Sequence, residues 1–332
     1  MQGRNVKPPI SLIQLGSDVR ASILSWFKRN GRVLPWRTWD SSGRHAWRVL
    51  VSEVMLQQTQ AQRIVEKFPR FIAQFPTAEA LARATPAEAI TAWSGLGYNS
   101  RVLRLRDAAA AICRDHRGRV PDAIALLRHL PGVGEYTARA VACFAFGARV
   151  APVDVNVVRV VSRIFYGVVG IDARASVAAV DLVASKLVPR HDPSRWGQAL
   201  MEFGALRCTA KRPICDGCPV NALCLGAFPA QSRFHRARRS GTEPMVLGEP
   251  RRVWRGRIVE LLRSNTDGLT TLEISNQLAA PEPTRPDRLP SKTLDGIVTA
   301  LRRDGFLEFR GVVSEGLSGG IPNDVRIRLR RR

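Results

Sequence analysis

The sequence predicts an all-α protein that ends in a small α+β appendage. Three observations carry that prediction. From about residue 18 to 225, apolar residues recur at helical spacing between short turns marked by Gly and Pro. Beyond about residue 251, three more helical segments precede a stretch that alternates apolar and polar residues around a Gly-rich tip, as a β-hairpin does. Between the two parts lies AFPAQSRFHRARRSGTEPMVLGEP, basic and broken by Pro and Gly, which reads as a linker over 227–250.

The first predicted helix is SDVRASILSWFKRN, with Ser17 and Asp18 as its cap signal. AWRVLVSEVMLQQTQAQRIVEKFPRFIAQF reads as one or two helices broken at Pro69. In TPAEAITAWSG, Thr85 is a cap, Pro86 suits the first turn, and Glu88 closes a capping box. SRVLRLRDAAAAICRDH is amphipathic and stops at Gly118. PDAIALLRHL and EYTARAVACFAF flank the turn PGVG. NVVRVVSRIF, SVAAVDLVASKLV and RWGQALMEFGALRC complete the series. VRVVSRIF is β-branched enough for a strand, but its neighbours are all helical, so it is read as helix. In the C-terminal part RRVWRGRIVELLRSN, TTLEISNQLAA (capped by Thr270 or Thr271) and SKTLDGIVTALRRDG precede the hairpin. Three helices and a hairpin suggest a winged helix-turn-helix over 251–332.

The 332 residues hold 51 Lys and Arg against 28 Asp and Glu, a formal charge of +23, with 45% apolar residues. Such an excess of positive charge draws in polyanions. No apolar run is long enough for a membrane span, and the first residues lack the apolar block of a secretory signal. The expected setting is cytoplasmic, in association with the nucleoid, with no membrane partner. In a reducing compartment clustered thiols more often bind metal than form disulfides. Four of the six cysteines, Cys208, Cys215, Cys218 and Cys224, form C-x6-C-x2-C-x5-C within seventeen residues. Four thiolates in one loop suit either tetrahedral zinc or an iron–sulfur cluster. Cys113 and Cys143, in apolar helical contexts, read as small core residues.

LPGVGEYTARA joins two apolar helices through Gly132 and Gly134. Two glycines permit close approach of the main chain and leave amide N–H groups free at the next helix start, which suits a phosphate. That arrangement is a helix–hairpin–helix, which grips a nucleic-acid backbone without reading bases. Downstream, VAPVDVNVVRV places Asp154 before Asn156 at a helix start, where a carboxylate usually caps.

LPGVGEYTA, the aspartate of VDVN about twenty residues on, and the cysteine loop together resemble the helix–hairpin–helix DNA glycosylases that carry an iron–sulfur cluster, the group of endonuclease III and the MutY-type adenine glycosylases. The resemblance spans roughly residues 20–226. LPWR (34–37), SEVMLQQTQ (52–60) and SGLGY (94–98) are closest to the MutY-type pattern. It implies a two-lobed fold, one lobe from about 45 to 150 and the other made of the N-terminal helix with 151–226, with double-stranded DNA in the cleft between them. It implies a 4Fe–4S cluster on Cys208, Cys215, Cys218 and Cys224 that sets a basic loop around Lys211 and Arg212 against DNA. It implies Glu53 as catalytic acid, with Asp154, Tyr136 and Asn156 in the catalytic group and Trp36 and Arg37 at the base pocket. Gln58, Thr59 and Tyr98 then join Gly132 and Gly134 as DNA contacts. Tyr136 stands where endonuclease III carries its Schiff-base lysine, so a monofunctional enzyme is expected.

The implied activity is removal of mispaired adenine, by a monomer, from DNA bearing a mispaired or damaged base. Adenine is a poor leaving group as an anion, so an acid must protonate its N7 after the base is flipped out. Val51, Val54, Met55 and Leu56 around Glu53 would shield its carboxyl and hold the proton near neutral pH. An ionised Asp154 would stabilise the oxocarbenium-like sugar. Three features depart from the pattern: a longer stretch TWDSSGRHAWRVLV, Asn99 in place of an aromatic residue after GLGY, and a winged-helix-like end where MutY-type enzymes carry a Nudix-like domain. Two other readings fit parts of the chain. Thymine/uracil mismatch glycosylases share the tyrosine and the D-x-N element, and a non-catalytic iron–sulfur regulator could use the winged helix alone.

Overall fold

The computed structural model describes residues 12–38, 45–168, 175–227, 244–279, 289–311, 320–322 and 324–331. Most of the expected linker, the Gly-rich hairpin tip and residues 39–44 of the long stretch before α2 lie outside the described residues. Helices follow one another as α1 (Leu12–Asn30), α2 (His45–Leu56), α3 (Ala61–Ile64), α4 (Lys67–Gln74), α5 (Ala78–Arg83), α6 (Pro86–Ala92), α7 (Ser100–His116), α8 (Ile124–His129), α9 (Glu135–Phe146), α10 (Val155–Tyr166), α11 (Val177–Leu187) and α12 (Pro193–Leu206). The C-terminal part adds β1 (Met245–Val246), β2 (Glu249–Pro250), α13 (Arg251–Ser264), α14 (Thr271–Leu278), α15 (Ser291–Arg303), β3 (Leu307–Arg310) and β4 (Arg326–Leu329). Among the described residues no helix is long and apolar enough to cross a membrane.

The chain divides into two compact units. One comprises Met1–Glu53, Pro121–His129 and Val133–Arg239; the other comprises Val54–Val120, Leu130–Gly132 and Ser240–Arg332. The expected lobe of 45–150 is therefore split between them, and the C-terminal helices cluster with 54–120.

In the first unit, apolar stripes at i, i+3 and i+4 make the core. Val19, Ile23 and Trp26 of α1 meet Val157, Val160, Val161 and Ile164 of α10. Val180, Val183, Ala184 and Leu187 of α11 and Trp196, Ala199, Leu200 and Phe203 of α12 complete it. Trp26 and Phe203 pack edge to face at 5.2 Å. Leu15 also packs on this core, and α1 is already helical before the predicted Ser17–Asp18 cap. Asp18 instead accepts a hydrogen bond from Gln14 within the helix, at 3.0 Å.

In the second unit, Phe71 packs edge-on against Phe75 and Trp93. Thr85 and Glu88 form the predicted capping box of α6. Pro69 stands just after a break in the helical run, not inside a continuous helix. It sits in the first turn of α4, where a missing N–H leaves no bond unmade, and the break it imposes lies just before it, at 65–66 between α3 and α4, with a further interruption at 57–60. The C-terminal part has the winged-helix-like arrangement: α13, α14 and α15 with Ile258, Ile274, Ile297 and Leu301 buried, then β3 and β4 antiparallel, Phe309 opposite Ile327. Thr270, not Thr271, caps α14. The last residues of the expected linker are folded: β1 and β2 pair around Leu247 and Gly248, both at positive φ as a tight hairpin turn requires.

Candidate active site and cysteine loop

Glu53 lies on α2, where its neighbours Val51, Val54 and Met55 are also buried, and is itself 5% exposed. Burial pushes its carboxyl up to about 7. A hydrogen bond with the Tyr136 hydroxyl pulls it down, the Asp154 charge pushes it up, and the Arg37 guanidinium pulls it down again. Its Oε2 is buried and, among the described residues, makes no hydrogen bond. Tyr136 comes from the first turn of α9. Burial, the neighbouring Glu53 and Asp154 charges and its hydrogen bond to Glu53 hold its hydroxyl protonated, with a pKa well above the usual tyrosine range.

Asp154 caps α10. Its Oδ1 accepts from the amides of Asn156 at 2.9 Å and Val157 at 2.8 Å, and its Oδ2 accepts from Asn156 Nδ2 at 2.6 Å. Burial raises its pKa, while these three hydrogen bonds favour the charged form and oppose the rise. The cap and the chemical reading of Asp154 are thus compatible: the cap fixes the carboxylate at the helix start. Asn156 Oδ1 in turn accepts from Arg159 at 2.8 Å.

Arg37 ends the short turn Pro35–Arg37, which also holds the buried Trp36. Its Nη2 donates to Glu202 Oε2 at 2.7 Å and its Nη1 to Arg32 O at 3.0 Å. Glu202, on α12, also accepts from Arg32 Nε at 2.5 Å and from Arg32 Nη2 at 3.2 Å. Burial alone would raise the Glu202 carboxyl, but the two guanidiniums overcome it and hold the carboxyl below the usual range. The structure thus brings Glu53, Tyr136, Asp154, Asn156 and Arg37 together in one unit. Glu202, absent from the sequence reading, is the buried anion that orients Arg37.

Gln58, Thr59 and Tyr98 belong to the second unit. Gln58 and Tyr98 both adopt positive φ, 55° and 45°, a conformation that costs a non-glycine residue about 1–2 kcal/mol. Arg101, also missed in the sequence, holds both segments. Its Nη1 donates to Val54 O, Met55 O and Gln57 O, and its Nη2 to Thr59 Oγ1, Leu96 O and Gly97 O. Burial pushes its pKa down to about 10. Gly132 has φ 78°, and a Cβ there would meet Arg104 Cβ at 2.9 Å. Gly134 caps α9 with open space around it.

The four loop thiols line one cavity with Arg163, Ile164, Phe203 and Val220. Arg163 Nη1 approaches Cys208 Sγ at 3.4 Å and donates to Thr209 O at 2.8 Å. The Val220 and Gly226 amides hydrogen-bond the Cys218 and Cys224 sulfurs. Among the described residues no three His, Cys, Asp or Glu side chains are placed to hold a single metal ion. A cavity ringed by four thiols, with N–H donors at the sulfurs of Cys208, Cys218 and Cys224, fits a thiolate-held metal group. Lys211 and Arg212 are exposed on this loop. Of the other two cysteines, Cys143 is fully buried as expected, whereas Cys113 is only partly covered.

The HhH-GPD superfamily base excision DNA repair signature matches residues 51–189, the segment that holds the glycine hairpin before α9 and both buried carboxyls. The chain belongs to that superfamily and, within it, to the adenine DNA glycosylase family. The adenine DNA glycosylase of Mycolicibacterium smegmatis is 40% identical over 280 residues, 83% of this chain and 91% of that protein. The Mycobacterium tuberculosis enzyme of the same name is 39% identical over 291 residues, 86% and 94% of the two chains. Among solved structures, a thermostable thymine-DNA glycosylase superposes with TM-score 0.59 at 29% identity, over 64% of this chain and 96% of its own.

Proposed function

We propose that the protein removes adenine mispaired with guanine or 8-oxoguanine from double-stranded DNA by hydrolysing the N-glycosidic bond. The observation that carries this reading is one carboxyl, Glu53, kept near pKa 7 by burial beside a second, hydrogen-bonded carboxyl, Asp154. Two carboxyls in different environments take two roles. Protonated Glu53 delivers its proton to N7 of the flipped-out adenine, and the C1′–N9 bond breaks with its electron pair leaving on the now neutral base. Asp154, fixed by the α10 amides, offsets the positive charge that grows at C1′. Water then adds to C1′, and the proton it loses restores the protonated carboxyl. Tyr136 holds the Glu53 carboxyl in place and, lacking an amine, forms no Schiff base.

Gln58 and Tyr98, exposed on their turns, enter the base stack near the mispair. The amides at Gly132 and Gly134, together with Lys211 and Arg212, take backbone phosphates. Cys208, Cys215, Cys218 and Cys224 hold a 4Fe–4S cluster, which ties the loop 208–224 into one fixed shape and so sets Lys211 and Arg212. The reaction itself needs only the side chains named above.

The likeness to a thymine-DNA glycosylase favours a second reading, excision of thymine or uracil opposite guanine. A panel of duplexes decides between them: adenine opposite 8-oxoguanine or guanine, against thymine or uracil opposite guanine. The expected result is release of adenine alone. Release of thymine or uracil with adenine untouched would overturn the proposal.

A further inference from the structure

Three arginines converge on the turn 94–99 in the second compact unit. Arg63 Nη2 donates to Gly95 O at 3.0 Å. Arg101 Nη2 donates to Leu96 O at 3.2 Å and Gly97 O at 3.1 Å. The third is Arg263 of α13, more than 160 residues later in the chain. Its Nη2 donates to Ile90 O at 3.0 Å and Asn99 Oδ1 at 3.3 Å, and its Nη1 reaches Ser94 Oγ at 3.5 Å. The Arg263 side chain is 8% exposed. A second junction lies nearby, where Ala87 N donates to Arg330 O at 2.8 Å.

Two features of these contacts go beyond ordinary docking of a C-terminal module. The Arg263 guanidinium bonds residues on both sides of Tyr98: Ser94 before it, and the Asn99 side chain immediately after it. Tyr98 itself is held at positive φ and is 49% exposed. A side chain kept outward on a strained backbone needs its flanks fixed, because the relaxed turn lies about 1–2 kcal/mol lower for that residue. Asn99, whose Oδ1 accepts this bond, also stands where the related pattern carries an aromatic residue. The departure at 99 and the departure in the C-terminal part are thus the two ends of one hydrogen bond.

We propose that Arg263 is a positioning residue for Tyr98: the C-terminal module clamps the turn 94–99 so that Tyr98 is presented to the duplex. Recognition of the mispair then depends on a residue outside the 51–189 segment that matches the superfamily. The inference rests on the function proposed above, in which Tyr98 enters the base stack.

The test is a double-mutant cycle in the full-length protein. Arg263→Met removes the donors and keeps the aliphatic stem, and Tyr98→Ala removes the side chain through which Arg263 acts. Single-turnover excision and duplex affinity are measured for the wild type, both single variants and the pair. Arg263→Met alone is expected to cost about tenfold, since small misplacements far from the chemistry carry such penalties. In the Tyr98→Ala background it is expected to cost less than about twofold, because coupled residues are non-additive. An equal factor in both backgrounds would overturn the proposal, since a merely structural role acts whether or not Tyr98 is present. Asn99→Ala, which removes only an acceptor, takes the place of Arg263→Met if that variant fails to fold, with the same two outcomes. Failure of the wild type to release adenine would count against the proposed function alone, because the cycle reads equally in duplex affinity.

Discussion

Glu53 and Glu202 are the same side chain at nearly the same solvent exposure, 5% and 2%, yet their carboxyls are driven in opposite directions. Around Glu53 the desolvation cost prevails, a neutral phenol donates to it, and among the described residues Oε2 has no partner. Around Glu202 the desolvation cost, smaller because this carboxyl lies less deep, is overcome by two guanidiniums that between them engage both oxygens. Arg37 belongs to both surroundings, but it bonds Glu202 and acts on Glu53 only through its field. Burial alone therefore does not decide protonation. Depth and charged donors act together, and deep burial without a charged donor in contact keeps the Glu53 carboxylic acid available at neutral pH.

Breaking the acid side of this comparison should give the largest effect. Glu53→Gln keeps shape and removes the proton donor, so excision is expected to fall by about 10²–10⁴-fold, the usual contribution of general acid catalysis. The same variant should fold more stably at high pH. A carboxyl whose folded pKa is raised from 4.5 to about 7 contributes stability below the unfolded value and loses it as pH rises through the folded one. Glutamine has no charge to lose. Thermal melting at pH 8 should therefore show a gain of at most about 3 kcal/mol, absent at pH 4.5. An equal shift at both pH values would mean that Glu53 is not held neutral.

The charged side is tested by Glu202→Gln. It leaves Arg32 and Arg37 without their anion, and loss of one partner from a buried pair costs about 3–5 kcal/mol, less here because Arg32 and Arg37 keep some solvent contact. Denaturant titration should show a loss of about 2 kcal/mol above pH 5, shrinking as the pH falls and wild-type Glu202 becomes protonated. Tyr136→Phe gives the smallest effect. It removes a hydrogen bond that lowers the Glu53 pKa, so the alkaline limit of activity should move upward by less than about one pH unit.

Much of the site was legible in the sequence because its residues carry local reasons for their places. Asp154 stands before a helical run and caps it. Val51, Val54 and Met55, the apolar neighbours of Glu53 along α2, are buried as it is. Thr85, Pro86 and Glu88 spell a capping box within four residues. What was not legible depends on partners far along the chain. Glu202 sits in an ordinary amphipathic pattern, and its partners Arg32 and Arg37 lie 170 and 165 residues away. Arg101 and Arg263 are two among many arginines in a strongly basic sequence, and only folding shows which are buried against backbone carbonyls. The start of α1 was misplaced: the helix is already formed before the local cap signal at Ser17–Asp18, and Leu15 finds its packing partners only in the assembled core.

The most direct measurement of whether a protonated Glu53 drives the reaction is the single-turnover rate of adenine release from a mispaired duplex between pH 5 and 9. A rate that is level on the acid side and falls about tenfold per pH unit above about 7 is predicted, with the break absent in Glu53→Gln. A rate that stays level to pH 9, or rises with pH, would contradict it.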